Sequence, residues 1–251
     1  MASGKFGAEH GLSYLIEHNG FRLLFDTGHS DLFVRNAKLL NIDLNKIETV
    51  VLSHGHWDHG NGLRFLQNKK LICHPGVFIK RFRKGGVEHI GLEMEKKQIA
   101  NRYEVHTYSS PVNLSPEIVF LGEIPRNINF EKHPTPYIDA NGKPDTIPDD
   151  SALMIIDNGE LVIISGCAHS GICNIIDYAQ KISGIKKVKA VVGGFHLKND
   201  DHRLEETIKY FSKLKVQYLY PSHCTALPAL SKFYYYFGIE QLKAGMVLEI
   251  N

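Results

Sequence analysis

The chain has 251 residues, 43% of them hydrophobic and 22% charged, with 29 basic and 27 acidic side chains for a net charge of +2. That composition excludes a disordered tail, a collagen-like fibre and a coiled coil, and the near-zero balance gives no global basic field for gripping nucleic acid. No apolar run reaches the roughly 18 residues of a membrane span, and four cysteines without a CxxC pair do not make a disulfide framework. With no signal peptide recognisable at Met1, the expected setting is the reducing cytoplasm. Length alone gives one to two domains, and one domain over 1–251 is expected because no linker divides the sequence.

Met1–Gly7 is small and polar, and order is expected from Leu12. Leu12–His18 and Phe21–Phe25 read as strands around an Asn19-Gly20 turn, a strong hairpin signal. Asp26-Thr27-Gly28 ends the second strand, and a helix is predicted over Asp31–Leu40. Thr49–Ser53 is a short buried strand, followed by a predicted helix over Gly60–Leu66. Leu71–Cys73, Tyr103–Tyr108 and Ile118–Leu121 are further strands. The basic run Lys80–Lys84 reads as a solvated helix face or a contact for phosphate or carboxylate. The polar, Pro-rich stretch 122–149 reads as a long loop or lid.

Beyond it the pattern alternates. Ala152–Asp157 and Leu161–Ser165 form a hairpin around Asn158-Gly159. Helices over Cys173–Ile182, Leu204–Leu214 and Ala226–Phe237 then alternate with strands at Lys189–Val192, Val216–Tyr220 and Met246–Ile250. Hairpins first and strand–helix alternation later suggest layered sheets with helices outside.

One segment carries chemistry. Of the 14 histidines, three fall in Ser53-His54-Gly55-His56-Trp57-Asp58-His59-Gly60, at the end of a strand. Residues i and i+2 on extended backbone point the same way, so His54 and His56 face one point. Gly55 lets the backbone approach closely, and Asp58 and His59 fall where a helix begins. Three imidazoles and a carboxylate suit a borderline divalent metal such as zinc.

HGHWDHG after a strand, with DTG one hairpin earlier, resembles the metallo-β-lactamase superfamily. The similarity extends through EHGLS (9–13), GEIPR (122–126), DDSAL (149–153), ISGCAHSGICN (164–174), VVGGFHL (191–197) and PSHCT (221–225). These segments look like the branch named for a dihydropterin–ribofuranosyl-aminobenzene-phosphate synthase. The resemblance implies a four-layer αβ/βα sandwich with the metals at one edge. Relatives of the branch open with a strand ahead of EHGLS that this sequence does not show, so the expectation is either a sheet one strand short or a sequence truncated at its start.

By that resemblance His54 and His56 belong to a first metal site, Asp58 and His59 to a second, and His223 is the last ligand. Cys167 stands where the superfamily has a bridging aspartate. Either His169 ligates with Cys167 as its neighbour, or Cys167 ligates as a thiolate. Glu123 and His133 are weaker substitutes for a missing histidine. His196 and Arg126 are expected to contact substrate, with Asp58 and His196 taking part in catalysis. His10 has no clear role, and His29 and His74 read as ordinary surface or packing residues. The implied cofactor is Zn2+, one or two ions, with Mn2+ or Fe2+ as alternatives.

The implied activity is hydrolysis of a phosphoryl or carbonyl centre in a small, phosphorylated or pterin-like substrate. A pterin-related synthase and a non-catalytic metal-binding protein are the alternatives. No nucleic-acid or membrane partner is expected.

Overall fold

The protein is described by a computed structural model over residues 4–251. The expectation for Met1–Ser3 lies outside the described residues. In chain order the elements are β1 (Tyr14–His18), β2 (Phe21–Phe25), α1 (Leu32–Leu39), β3 (Thr49–Val51), α2 (Trp57–Gly60), β4 (Lys69–Cys73), β5 (Arg81–Arg83), α3 (Lys96–Ala100) and β6 (Tyr103–Thr107). There follow β7 (Val112–Asn113), β8 (Ile118–Phe120), β9 (Tyr137–Asp139), β10 (Ala152–Asp157), β11 (Glu160–Ser165), α4 (Ile172–Ser183), β12 (Val188–Gly194), α5 (His202–Leu214), β13 (Tyr218–Ser222) and α6 (Leu227–Phe237). The chain forms two compact units, each discontinuous in sequence.

Among the described residues, the first unit holds 4–109, 134–149 and 243–247. Its main sheet runs β1-β2-β3-β4-β6. The β1–β2 hairpin is antiparallel, with Asn19 at φ 47° and Gly20 at φ 79°. Both central residues are left-handed, the geometry whose twist matches the flanking strands. The remaining pairings, β2–β3, β3–β4 and β4–β6, are parallel. Leu24, Val50, Leu52, Leu63, Leu71 and Ile99 fill the core. Because Phe25 pairs with Val51, the carboxyl ends of β2 and β3 lie side by side, and Asp26 leaves one as Ser53 and His54 leave the other. Open sheets with parallel strands bind ligands at such ends.

The second unit holds residues 110–133, 150–242 and 248–251. Its sheet runs β13-β12-β11-β10-β8-β7. β13, β12 and β11 are parallel, and the rest are antiparallel. The register sets Ser165 opposite Gly193 and Gly194 opposite Ser222, so three strands end together. Behind them Phe195, Phe211 and Phe233 pack with ring centroids 5.6–5.8 Å apart. The buried Glu131 carboxylate caps α4, accepting from the Cys173 and Asn174 amides at 2.9 and 2.7 Å, where the helix dipole favours an anion.

Several expectations are corrected. The helix over Gly60–Leu66 is one α-turn, α2, followed by a 3-10 turn at Asn61–Phe65. Met246–Ile250 forms no strand: its residues are divided between the two units, so no single sheet edge can take them all. The 122–149 stretch is ordered in part, with a 3-10 turn at Asn129–Glu131 and β9 paired to β5. Lys80–Lys84 is no helix. It contains β5, and Arg81 within it is fully buried.

Arg81 explains its own burial. It donates to Asp149 through both terminal nitrogens at 2.7 and 3.0 Å, and through Nε to Asp145 at 2.8 Å. Burial alone would raise the Asp149 carboxyl, but the Arg81 charge and its hydrogen bonds hold it below the ordinary carboxylate range. Replacing one member of a buried ion pair strands the other. Arg81→Met keeps much of the volume and leaves two buried carboxylates without their cation. The expected loss is about 3–5 kcal/mol, read as a lower midpoint in urea unfolding; a loss within the ±0.5 kcal/mol typical of surface changes would refute this account.

Candidate metal-binding residues

In the first unit the HGHWDHG turn is held from both sides. Asp149 Oδ2, already bound to Arg81, accepts the Gly55 amide at 2.8 Å. A Cβ at Gly55 would lie 2.1 Å from the Val77 carbonyl oxygen, so only glycine lets the turn seat there. On the other side stands Asp26. Its Oδ1 accepts the Ser53 amide and its Oδ2 the Ser53 hydroxyl, both at 2.7 Å. The same Oδ2 accepts Nδ1 of His59 at 2.7 Å. An ionised carboxylate only accepts, so His59 carries its proton on Nδ1 and turns the Nε2 lone pair outward. That is the arrangement by which a carboxylate orients a metal-binding imidazole.

The other rings are set the same way. The Ser53 hydroxyl spends its proton on Asp26, so it accepts from His54 Nδ1 at 2.9 Å. His54 Nε2 is then a lone pair, and it lies 2.9 Å from His56 Nδ1. A neutral His56 can donate across that gap, or in its other tautomer add a second lone pair for a cation. Burial, with the neighbouring His59 second, keeps His54 well below the ordinary imidazole value. Burial and the Arg81 charge push His56 down to about 3. Both are neutral, the form that binds metal. Asp58 places Oδ2 3.8 Å from His59 Nε2 and 3.2 Å from His10 Nε2. This buried donor set fits a divalent metal ion.

Around it, Trp57 meets the edge of His29 at 4.6 Å, and His56 meets Tyr137 at 5.0 Å. His29 packs against Trp57 through this ring contact. His74 accepts the Gly76 amide and caps a 3-10 turn.

In the second unit the predicted residues gather at the ends of the three parallel strands. Cys167 and His169 follow β11, His196 follows β12, and His223 and Cys224 follow β13. Asp150 Oδ2 accepts the Ser170 amide and hydroxyl at 2.9 and 2.5 Å, and Arg126 donates to the His169 carbonyl at 2.8 Å. These bonds fix the GCAHS turn. The His169 and His196 rings lie 4.3 Å apart, and His133 stacks on His196 at 6.4 Å. Glu123 and His133 are exposed, unlike the buried candidates.

Cys224 Sγ lies 3.3 Å from the Cys167 carbonyl. Burial alone would raise its thiol. Interactions with Cys167, His196 and His223 outweigh that and hold it well below the ordinary value.

Backbone conformation marks the same places. Ten non-glycine residues among those described have positive φ. Four are asparagines and one, Lys215, ends α5. Of the other five, Asp26, Ala168, His196 and His223 are site residues or their neighbours. Such strain collects where a side chain must be aimed.

Sequence reading found the histidines and Asp58 but missed the work of Asp26, Ser53, Arg81, Asp149 and Asp150, although DTG and DDSAL stood among the matching segments. Cys224 carried no signal beyond its place in PSHCT.

Residues 6–180 match the family model of the Metallo-beta-lactamase superfamily. Over 97% of this chain and 91% of its own length, a protein of Methanocaldococcus jannaschii is 38% identical; it is named 7,8-dihydropterin-6-methyl-4-(beta-D-ribofuranosyl)-aminobenzene-5'-phosphate synthase. A second, uncharacterized protein of that archaeon is 35% identical over 91% of this chain and 88% of its own. A solved structure described as a metal-dependent hydrolase of the beta-lactamase superfamily superposes with a TM-score of 0.87 at 31% identity, covering 99% of this chain and 95% of that one. The α/β class expected from the sequence agrees with that match. The chain belongs to the metallo-beta-lactamase superfamily.

Proposed function

We propose that the protein is a metal-dependent hydrolase of small, anionic esters. The observation that carries this is the buried His54, His56, Asp58 and His59 set, with His59 aimed by Asp26 and His54 by Ser53. A divalent metal bound there supplies Lewis-acid activation of water near neutral pH. Asp58 is then the residue to orient the attacking water and take its proton. Arg126, a planar donor fork already anchored on the His169 carbonyl, is assigned to a phosphate or carboxylate of the substrate. Zinc is the metal this imidazole-rich set suits, with manganese or iron as competitors.

A second reading is a pterin-related synthase, favoured by the printed name of the 38% identical relative. One experiment separates them. Chelator-stripped protein is assayed with Zn2+, Mn2+ or Fe2+ on phosphodiester, phosphomonoester and lactone probes. In parallel it is supplied with a ribofuranosyl-aminobenzene phosphate and a dihydropterin whose 6-methyl carbon carries a diphosphate, which leaves as the new bond forms. The hydrolase reading expects metal-restored turnover of at least one ester and no joined pterin product. A joined product by mass spectrometry, without ester turnover, would favour the synthase.

His54→Ala should cut metal-dependent kcat/KM by more than about 100-fold, beyond the 10–100-fold range of a group that only orients a ligand. Asp26→Asn keeps the size of the side chain but loses the acceptor charge. It should weaken metal affinity by about 10–100-fold in competition with a chromogenic chelator. Wild-type affinity in Asp26→Asn would remove Asp26 from the metal-binding account.

A further inference from the structure

We infer that the outer face of α5 and α6 is a self-association surface, on which two copies of the chain pack about a two-fold axis with their α5 helices antiparallel. Both helices belong to the second unit. Their inner faces are spent on the core, where Leu204 and Phe211 of α5 and Ala229 and Phe233 of α6 are buried.

The outer face is neither filled nor uniformly polar. A groove of about 460 Å3 lies between the helices, lined on α5 by Glu205, Ile208, Ser212 and Lys213 and on α6 by Lys232 and Tyr236. Beside it α6 carries three tyrosines in a row. Tyr234, Tyr235 and Tyr236 are 68%, 80% and 57% exposed, and Tyr235 meets Tyr236 edge-on at 5.1 Å. Neighbouring exposed aromatics beside an open groove mark a protein contact, and tyrosine is enriched at such contacts.

Charge selects the occupant. Lys209 is bound to Glu206 at 2.7 Å, and Lys232 is paired with Asp200. Glu205 and Lys213 line the same groove and make no ion pair among the described residues. The unanswered charge of the groove is therefore one acid and one base, which offers no net attraction to an acidic or a basic peptide. The two stand eight residues apart on α5, about 12 Å along the helix axis. A two-fold axis between antiparallel α5 helices sets each Glu205 opposite the partner's Lys213. That is the self-matching an isologous interface requires. Lys209 falls near the axis, where its own Glu206 answers its charge. The arrangement also brings opposite ends of the helix dipoles side by side. Tyr235, the most exposed of the three rings, is the one assigned to enter the partner's groove.

The test is sedimentation velocity over a concentration series. Wild type should pass from monomer to dimer. Lys213→Glu sets carboxylates against each other at both contacts and should raise the dimer dissociation constant by about 10-fold or more. Glu205→Lys should do the same with two ammonium groups. Glu205→Lys/Lys213→Glu restores opposite charges at both contacts and should return the constant to within about three-fold of wild type. Such recovery is not expected of variants that merely disturb a helix. A wild type that stays monomeric at every concentration overturns the proposal, whatever else it binds. So does a dimer indifferent to Lys213→Glu, or a double variant no better than the single ones. Far-ultraviolet circular dichroism checks that each variant folds. Sedimentation reads mass and not turnover, so the outcome is independent of the hydrolase reading.

Discussion

Three imidazoles buried within six residues are the constraint around which the first unit is arranged. A buried imidazole must stay neutral and have its ring orientation fixed, or it costs more than it contributes. Two carboxylates meet that demand. Asp26 settles the tautomers of His59 directly and of His54 through Ser53. Asp149 holds the Gly55 amide, and so the turn that carries the rings. Each carboxylate is itself buried and needs partners. Asp26 finds them in the turn it serves, and Asp149 in Arg81. The placement of the three rings thus depends on the ion pair of Arg81 and Asp149.

The second unit meets its demand by topology. Three parallel strands end in register, and each hands over its residue at a left-handed or glycine position: Ala168 after β11, Gly193 in β12 with His196 beyond it, and His223 after β13. Positive φ turns the chain sharply, so a side chain can stand at the strand end and not beside it. The cost is of order 1–3 kcal/mol for each non-glycine residue. The hydrogen bonds of Asp150, Arg126 and Ser165 around those turns are what offset it.

Legibility in the sequence followed the range of the interaction. Hairpins closed by Asn19-Gly20 and Asn158-Gly159 were readable because the turn dipeptide sets both φ values locally. The histidine motif was readable because its donors are spaced within one strand end and one turn. Arg81 was misread because its neighbours, Lys80, Arg83 and Lys84, are solvated, while its partners lie 64 and 68 residues away. Met246–Ile250 is apolar enough for a short strand but has no single sheet to join. Asp26 was visible as part of DTG, yet its task depends on Ser53 and His59, 27 and 33 residues on.

That division has a consequence for how the chemistry is distributed. The imidazoles of the first unit come from one short segment, and their tautomers and placement are set by carboxylates outside it, Asp26 and Asp149. The side chains gathered in the second unit come from three segments, Cys167, His196 and Cys224 being 29 and 28 residues apart in turn. A local motif can be kept through changes elsewhere in the fold. A set assembled by register depends on the whole parallel half of its sheet, and small shifts in β12 would disperse it. Gly194, the residue whose missing Cβ admits Cys224, is therefore as much a part of that set as the sulfurs it accommodates.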